Sequence, residues 1–450
     1  MDDAVIHTLG PGSLAWRVFD LLLIAVGVAA MIAIARPKDW FAGLFAGIVL
    51  GLVHGRDGIF DMGQRDFVIA VLLLAAYAAL FRATRKTSPN WMLIFGLCAG
   101  MAAAIKPPFL LLAPAIMVVL FIARRADRRA SAAFILYAAA GFALPLIAIF
   151  LWLWRAHALH SLLLVIFSLV RYHVSLAHRS LGYLLLHSIS PLLPLVLLWL
   201  FLALSQREDW SGWERRALIV AVAIGLFSWL VQAKGYPYQR YPFLAFLLLI
   251  MGMDFSVAAR KSGLPRLIGV AGLAFGVLFL APTSAWTASR YDWRNTDFLT
   301  SLQHDLDRLG GQRLSGRIQC IDTTRGCYNA LYDSRLIQST GFLYDEFLFG
   351  PERDGVVAAS RKAFWNSVQS HPPIVFVVVG DLFPAGPPGF AKLAFWPQFD
   401  AYLQTHYFVY HEVDLSPAHW WSRPELHHSY RIYLIRTPSS PAIIQSASQH

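Results

Sequence analysis

Five cations, Arg56, Arg65, Lys106, Lys234 and Arg240, adjoin the ends of apolar runs, and the last two sit in KGYPYQRYP (234–242) beside Tyr236, Tyr238 and Tyr241. Lys and Arg bind phosphate through charge-assisted hydrogen bonds, and aromatic rings beside them can face a sugar or an acyl chain. An anionic lipid headgroup suits that combination. The alternative is a belt of interfacial tyrosines with snorkelling basic side chains. Asp57, Asp61 and Asp66 lie in GRDGIFDMGQRD (55–66). Carboxylates there can accept a proton, ligate a divalent metal, or simply pair with Arg56 and Arg65. Asp61 and Asp66 are the catalytic and metal candidates, and a divalent metal ion is the one cofactor left open. Their spacing does not fit an EF-hand. His157, His160, His173 and His178 flank an apolar run at 162–170. Lacking cysteines or carboxylates in a closed pattern, they read as the solvated face of an amphipathic surface helix.

The elements that must position these groups are membrane spans. Of the 450 residues, 57% are hydrophobic and only 14% charged, against about 25% charged in soluble domains. A cytosolic enzyme is excluded. Apolar runs at 14–35, 40–53, 67–81, 91–105, 109–122, 132–154, 183–204, 217–231, 242–253 and 267–281 give about ten spans. Several are short, and the stretch 91–122 is either two short helices or a hairpin broken at Pro107-Pro108. Residues 1–282 carry 24 Lys+Arg against 12 Asp+Glu, and 283–450 carry 14 against 15. The basic excess thus sits in short loops, as membrane topology requires, and gives no ground for nucleic-acid binding. The expected fold is a polytopic α-helical membrane protein with a transmembrane domain (1–282) and a C-terminal extracytoplasmic α/β domain (283–450).

Orientation follows from charge. Arg36, Lys38, Arg82, Arg85, Lys86, Arg124, Arg125, Arg128, Arg129, Arg207, Arg215, Arg216, Arg260, Lys261 and Arg266 fall on one side, which is therefore cytoplasmic. Arg17, Arg56, Arg65, Lys106, Arg155, Arg171, Arg179, Lys234 and Arg240 fall on the other. Both termini then face outward, although residues 1–17 lack the basic start of a signal peptide.

After a linker at 282–295, Phe298, Leu299, Leu302, Leu306 and Leu309 recur at helical spacing between an Asn295/Thr296 cap and Gly310-Gly311. Strand-like runs at 317–322, 374–379 and 430–435 alternate with helical stretches near 355–368 and 398–405, the pattern of a small α/β sandwich. This region contains no G-x-S-x-G, no G-x-G-x-x-G and no H-E-x-x-H, since Leu415 breaks the last. It reads as a binding or covering domain. Cys320 and Cys327 lie where an extracytoplasmic compartment permits a disulfide, while Cys98 sits within a span.

GQRD (63–66), AGMAAAIKPPFLL (99–111), KGYPYQRYP (234–242) and DTTRGCYNALY (322–332) resemble, in this order, short stretches of a bacterial branch of the GT-C membrane glycosyltransferases. That class includes protein mannosyltransferases and the aminoarabinose transferases of lipid A. The resemblance implies inverting sugar transfer from a polyprenyl-phosphate carrier to an acceptor outside the bacterial cytoplasmic membrane. A carboxylate would deprotonate the acceptor, and cations or a metal would stabilise the departing phosphate. It assigns Lys234, Arg240, Lys106 and Arg65 to the phosphate, Tyr236, Tyr238 and Tyr241 to the donor, and Asp61 or Asp66 to metal or donor positioning. In that class a first span precedes a loop bearing the acidic catalytic residue, and run 14–35 aligns best with the second span. The chain is therefore expected to begin after that loop, with Asp2 and Asp3 poor substitutes for its acid. The competing readings are a non-catalytic relative that binds lipid-linked sugar, and a lipid transporter or flippase. The latter predicts internal repeats and midplane sites that the sequence does not display.

Overall fold

The computed structural model describes residues 8, 13–58, 61, 63–123, 128–205, 212–323, 326–380, 382, 389–414 and 429–436; the side chains at 13, 38, 128–131, 205 and 288–297 are set aside. Asp2, Asp3, Arg124, Arg125 and Arg207, and the side chains of Lys38, Arg128 and Arg129, therefore lie outside the described part. The chain divides into two compact units, Met1–Val165 with His178–Tyr291, and Ile166–Ala177 with Asp292–His450.

The first unit is helical. Its elements include α1 (Ser13–Asp57), α2 (Arg65–Lys86), α3 (Asn90–Ile105), α4 (Leu112–Ala123) and α5 (Arg128–Arg155). After α6 (Leu159–Leu164) the chain passes through α7 (Val170–Leu176), which belongs to the second unit, and continues in the first with α8 (Leu181–Ile189), α9 (Leu193–Ser205), α10 (Trp213–Gln232), α11 (Tyr241–Ala259) and α12 (Leu264–Leu278). Among the described residues, Leu14–Pro37, Arg65–Lys86, Ala132–Arg155, Leu159–Leu176, Pro237–Ala259 and Leu264–Thr287 are long and apolar enough to cross a membrane. The protein is a polytopic α-helical membrane protein.

Prolines set the departures from simple spans. Runs 14–35 and 40–53 form two helical arms of α1, as expected: the chain turns at Asp39 (φ −167°, ψ 105°), just after Pro37, and Gly43 and Gly47 of the second arm pack back against Met31, Ile32 and Val28 of the first. The stretch 91–122 breaks at Pro107-Pro108 into α3, a 3₁₀ turn (Pro107–Leu111) and α4. The run at 183–204 is not one straight span: Leu181–Ile189 and Leu193–Leu204 are bent by 85°. The centre of the unit is α11, whose residues Tyr241 to Gly252 are all buried. A helix apolar on every face suits a protein interior or a membrane span, and α11 takes the interior.

The second unit holds a four-stranded sheet, β1 (Ile318–Ile321), β2 (Val375–Val379), β3 (Tyr407–Val413) and β4 (Tyr430–Ile435), in the order β1-β2-β4-β3. β1 and β2 are parallel and the other pairs antiparallel. Successive residues of a strand point to opposite faces, and both faces here are covered. Val375, Val377 and Val379 pack with Phe298, Leu302 and Leu306, whereas Phe376 and Val378 pack with Phe364, Val368 and Phe399. The covering helices are the end of α13 (Leu280–Arg308), α14 (Cys327–Asp333), α15 (Gly355–Ser370) and α16 (Pro397–His406).

One expectation fails here: the linker at 282–295 and the Asn295/Thr296 cap are part of α13, because nothing between Thr283 and Arg308 is Gly or Pro and the helix has no reason to stop. It ends at Gly310 and Gly311, both with positive φ, as the sequence suggested. Strand β3 was not anticipated. Cys320 and Cys327 are bonded to each other, while Cys98 is unbonded and half-buried in α3.

Candidate functional site

The sequence between α1 and α2 folds its polar groups inward. Asp66 lies in the first turn of α2, buried. Lys106, the last residue before Pro107, is held extended by that proline and so ends α3. Its ammonium forms an ion pair with Asp66 Oδ1. Burial lowers the Lys106 pKa, with Asp66 pulling it back up. Among the described residues, Asp66 Oδ2 has no hydrogen-bond partner. Arg65, exposed, adds a second positive charge close enough to act on both.

KGYPYQR packs nearby. Ala233 closes α10 with φ 53°, Gly235 has φ 73°, and Pro237 opens a 3₁₀ turn (Pro237–Arg240) that leads into α11. A side chain on Gly235 would meet the Tyr183 ring at 2.8 Å, so glycine is required twice over. The turn buries Lys234, whose Nζ is 5.7 Å from the centre of the Tyr236 ring. Tyr236 and Tyr238 stack at 5.8 Å, and Tyr238 lies within electrostatic reach of Asp66, Asp61 and Arg65. The structure thus brings Arg65, Lys106, Asp66, Tyr236 and Tyr238 together, with Lys234 next to Tyr236.

Two predicted residues serve otherwise. Arg240 donates to Asp57 Oδ1 at 2.7 Å, to the His187 carbonyl at 2.8 Å and to the Ser190 carbonyl, leaving only a buried Nε without a partner. It acts as a strut. Asp57, expected to pair with Arg56 or Arg65, is its partner because the 3₁₀ turn leading into α11 carries Arg240 against the end of α1. Tyr241, proposed as a donor contact, is fully buried and donates to Asp57 Oδ2 at 3.0 Å.

Behind them runs a buried chain that the sequence reading did not identify. Asp20 Oδ2 lies 2.8 Å from His54 Nε2, and His54 Nδ1 lies 3.0 Å from the Tyr241 hydroxyl. Asp20 Oδ1 accepts from the Gly63 amide at 3.0 Å, tying the loop to α1. The His54 ring stacks on Phe67 at 4.3 Å. A signal existed: an Asp inside an apolar span is costly unless partnered, which marks it as functional or structural by default.

Asp61, in the loop, is buried with Oδ2 lacking any hydrogen bond among the described residues. Burial first, and the Asp57 charge second, push its carboxyl well above the usual range. Asp61 and Asp66 are not joined by further ligands: among the described residues no three of His, Cys, Asp and Glu are grouped to hold a metal. Of the histidines, His173 departs from the solvated face expected for it and pairs with Glu346 at 3.1 Å in the second unit.

Comparison with known proteins agrees with this architecture. A family model described as dolichyl-phosphate-mannose-protein mannosyltransferase matches residues 4–154. That segment carries Asp20, His54, Asp61, Asp66 and Lys106. The crystal structure of ArnT from Cupriavidus metallidurans in the apo state is similar with a TM-score of 0.56 at 13% identity, covering 96% of this chain and 86% of that one. The same enzyme bound to undecaprenyl phosphate is similar with a TM-score of 0.51, at the same identity and coverage. No curated protein sequence matches the chain. The family match covers about a third of the chain, and at 13% identity the solved structures speak for the fold alone.

Proposed function

We propose that the protein is a membrane glycosyltransferase that takes a sugar from a polyprenyl-phosphate carrier at the Lys106–Asp66 end of the helix bundle. The observation that carries the reading is the grouping of Arg65, Lys106 and Asp66 with the stacked Tyr236 and Tyr238 at one span end. The likeness of the fold to an enzyme crystallised with undecaprenyl phosphate supports it. By the topology read from charge, this end faces outward, as does the acceptor.

Lys106, Arg65 and Lys234 bind the carrier phosphate, and the tyrosine rings cover the sugar or the first isoprene units. The acceptor hydroxyl attacks the anomeric carbon as the bond from that carbon to the phosphate oxygen breaks. The electron pair leaves with the polyprenyl phosphate, whose added charge the cations stabilise. Asp66 Oδ2 is the carboxylate oxygen open to the acceptor proton. Asp61, buried in the loop beside Asp57, is assigned to positioning. Arg240, Asp57, Tyr241, His54 and Asp20 fix the floor beneath these groups.

The test is transfer from a radiolabelled undecaprenyl-phosphate sugar by the purified protein in vesicles, followed by release of undecaprenyl phosphate. Transfer abolished in Lys106→Ala and Asp66→Asn is the expected result. Donor bound but never turned over would place the protein among non-catalytic relatives. Movement of intact donor across the bilayer would make it a transporter.

A further inference from the structure

Helix α2 is 22 residues long, so its two ends are about 30 Å apart, and the far end from Asp66 has a second basic site. A cleft of about 860 Å³ opens between the first arm of α1 and α2. Its walls are small and apolar, with Val26, Ala29 and Ala33 on α1 and Ala75 and Ala78 on α2. At the ends of both helices the lining turns cationic: Arg36, Arg82 and Lys86, all exposed, beside Trp91. The Arg82 guanidinium lies 4.3 Å from the centre of the Trp91 ring. Arg85, also on the rim, is already paired with Glu214 at 3.0 Å. Among the described residues, no carboxylate pairs with Arg36, Arg82 or Lys86.

Exposed basic residues near a span end are ordinary anchors. Here they crown an apolar slot that alanines keep open, with the Trp91 indole among them. A slot without charges would take any chain, and charges without a slot would take any phosphate. We propose that this cleft binds one anionic phospholipid of the surrounding bilayer, with its phosphate on Arg36, Arg82 and Lys86 and one acyl chain between α1 and α2. The site is distinct from that of the carrier lipid and does not depend on the proposed reaction.

The experiment is native mass spectrometry of the detergent-purified chain with phosphatidylglycerol or phosphatidylcholine of identical acyl chains. One retained phosphatidylglycerol and no retained phosphatidylcholine is expected. Arg36→Gln with Lys86→Gln should weaken retention by at least about tenfold. Ala33→Phe, which fills the slot and leaves every charge, should weaken it as well, with both variants melting like the parent. Equal retention of the two lipids, or parental retention in Ala33→Phe, would overturn the proposal. Displacement by glycerol phosphate would reduce the site to a phosphate site, and displacement by equimolar undecaprenyl phosphate would give it to the carrier; either would also overturn it.

Discussion

Three aspartates lie within ten residues of one another at the end of α1 and the start of α2. Asp57, Asp61 and Asp66 looked interchangeable, yet each takes a different role: Asp57 braces Arg240, Asp66 pairs with Lys106, and Asp61 is buried without a partner for Oδ2. Pairing across 40 or more residues depends on which helix ends meet, and no local spacing encodes that. Replacing Lys106 by Met should cost roughly 3–5 kcal/mol, because Asp66 would be left charged and buried, while Lys106→Met with Asp66→Leu should recover much of it. Thermal melts of the two variants in the same detergent decide this. Asp61 binds its proton more tightly in the folded chain than unfolded. The stability it contributes is full below the ordinary carboxylate pKa of about 3.9 and is lost as pH rises toward its raised value. Asp61→Asn should therefore stabilise the protein relative to the parent increasingly as pH is raised, read as the melting temperature across a pH series.

Elements were the most readable scale, because hydrophobic periodicity and Gly or Pro punctuation act locally. Pro37, Pro107 and Gly310 each mark a real break. Helix α13 was misjudged from a cap-like Asn-Thr, since capping residues favour an end without forcing one. The edge strand β3 escaped because its outward residues are exposed and the run lacks clean alternation, with an irregularity between Val409 and His411. Two substitutions test the elements. Gly235→Ala forces a side chain into the Tyr183 ring from a left-handed backbone; it should cost about 1–2 kcal/mol and weaken carrier binding by displacing Lys234. Cys320 and Cys327 close a loop of seven residues' separation beside β1. Cys320→Ser with Cys327→Ser should therefore lower stability by roughly 2 kcal/mol, read by limited proteolysis of the C-terminal region against the oxidised parent.

At the scale of the whole molecule, composition alone required a membrane protein, and uneven charge separated a basic apolar part from a balanced polar one. What composition could not supply was the inward-facing network. The chain from Asp20 through His54, Tyr241 and Asp57 to Arg240 joins both arms of α1 to α11, and Asp20 holds the loop that bears Asp61 and leads into Asp66 at the start of α2. The central claim is that the carrier phosphate binds at the end of the bundle formed by Lys106, Arg65 and Lys234. It is tested most directly by titrating undecaprenyl phosphate into the purified parent, Lys234→Ala, Lys106→Ala and Arg266→Ala. Lys234→Ala and Lys106→Ala should each lose binding by at least about tenfold, the cost of one charge-assisted contact, while Arg266→Ala should bind like the parent. Equal affinities in all four proteins would contradict it.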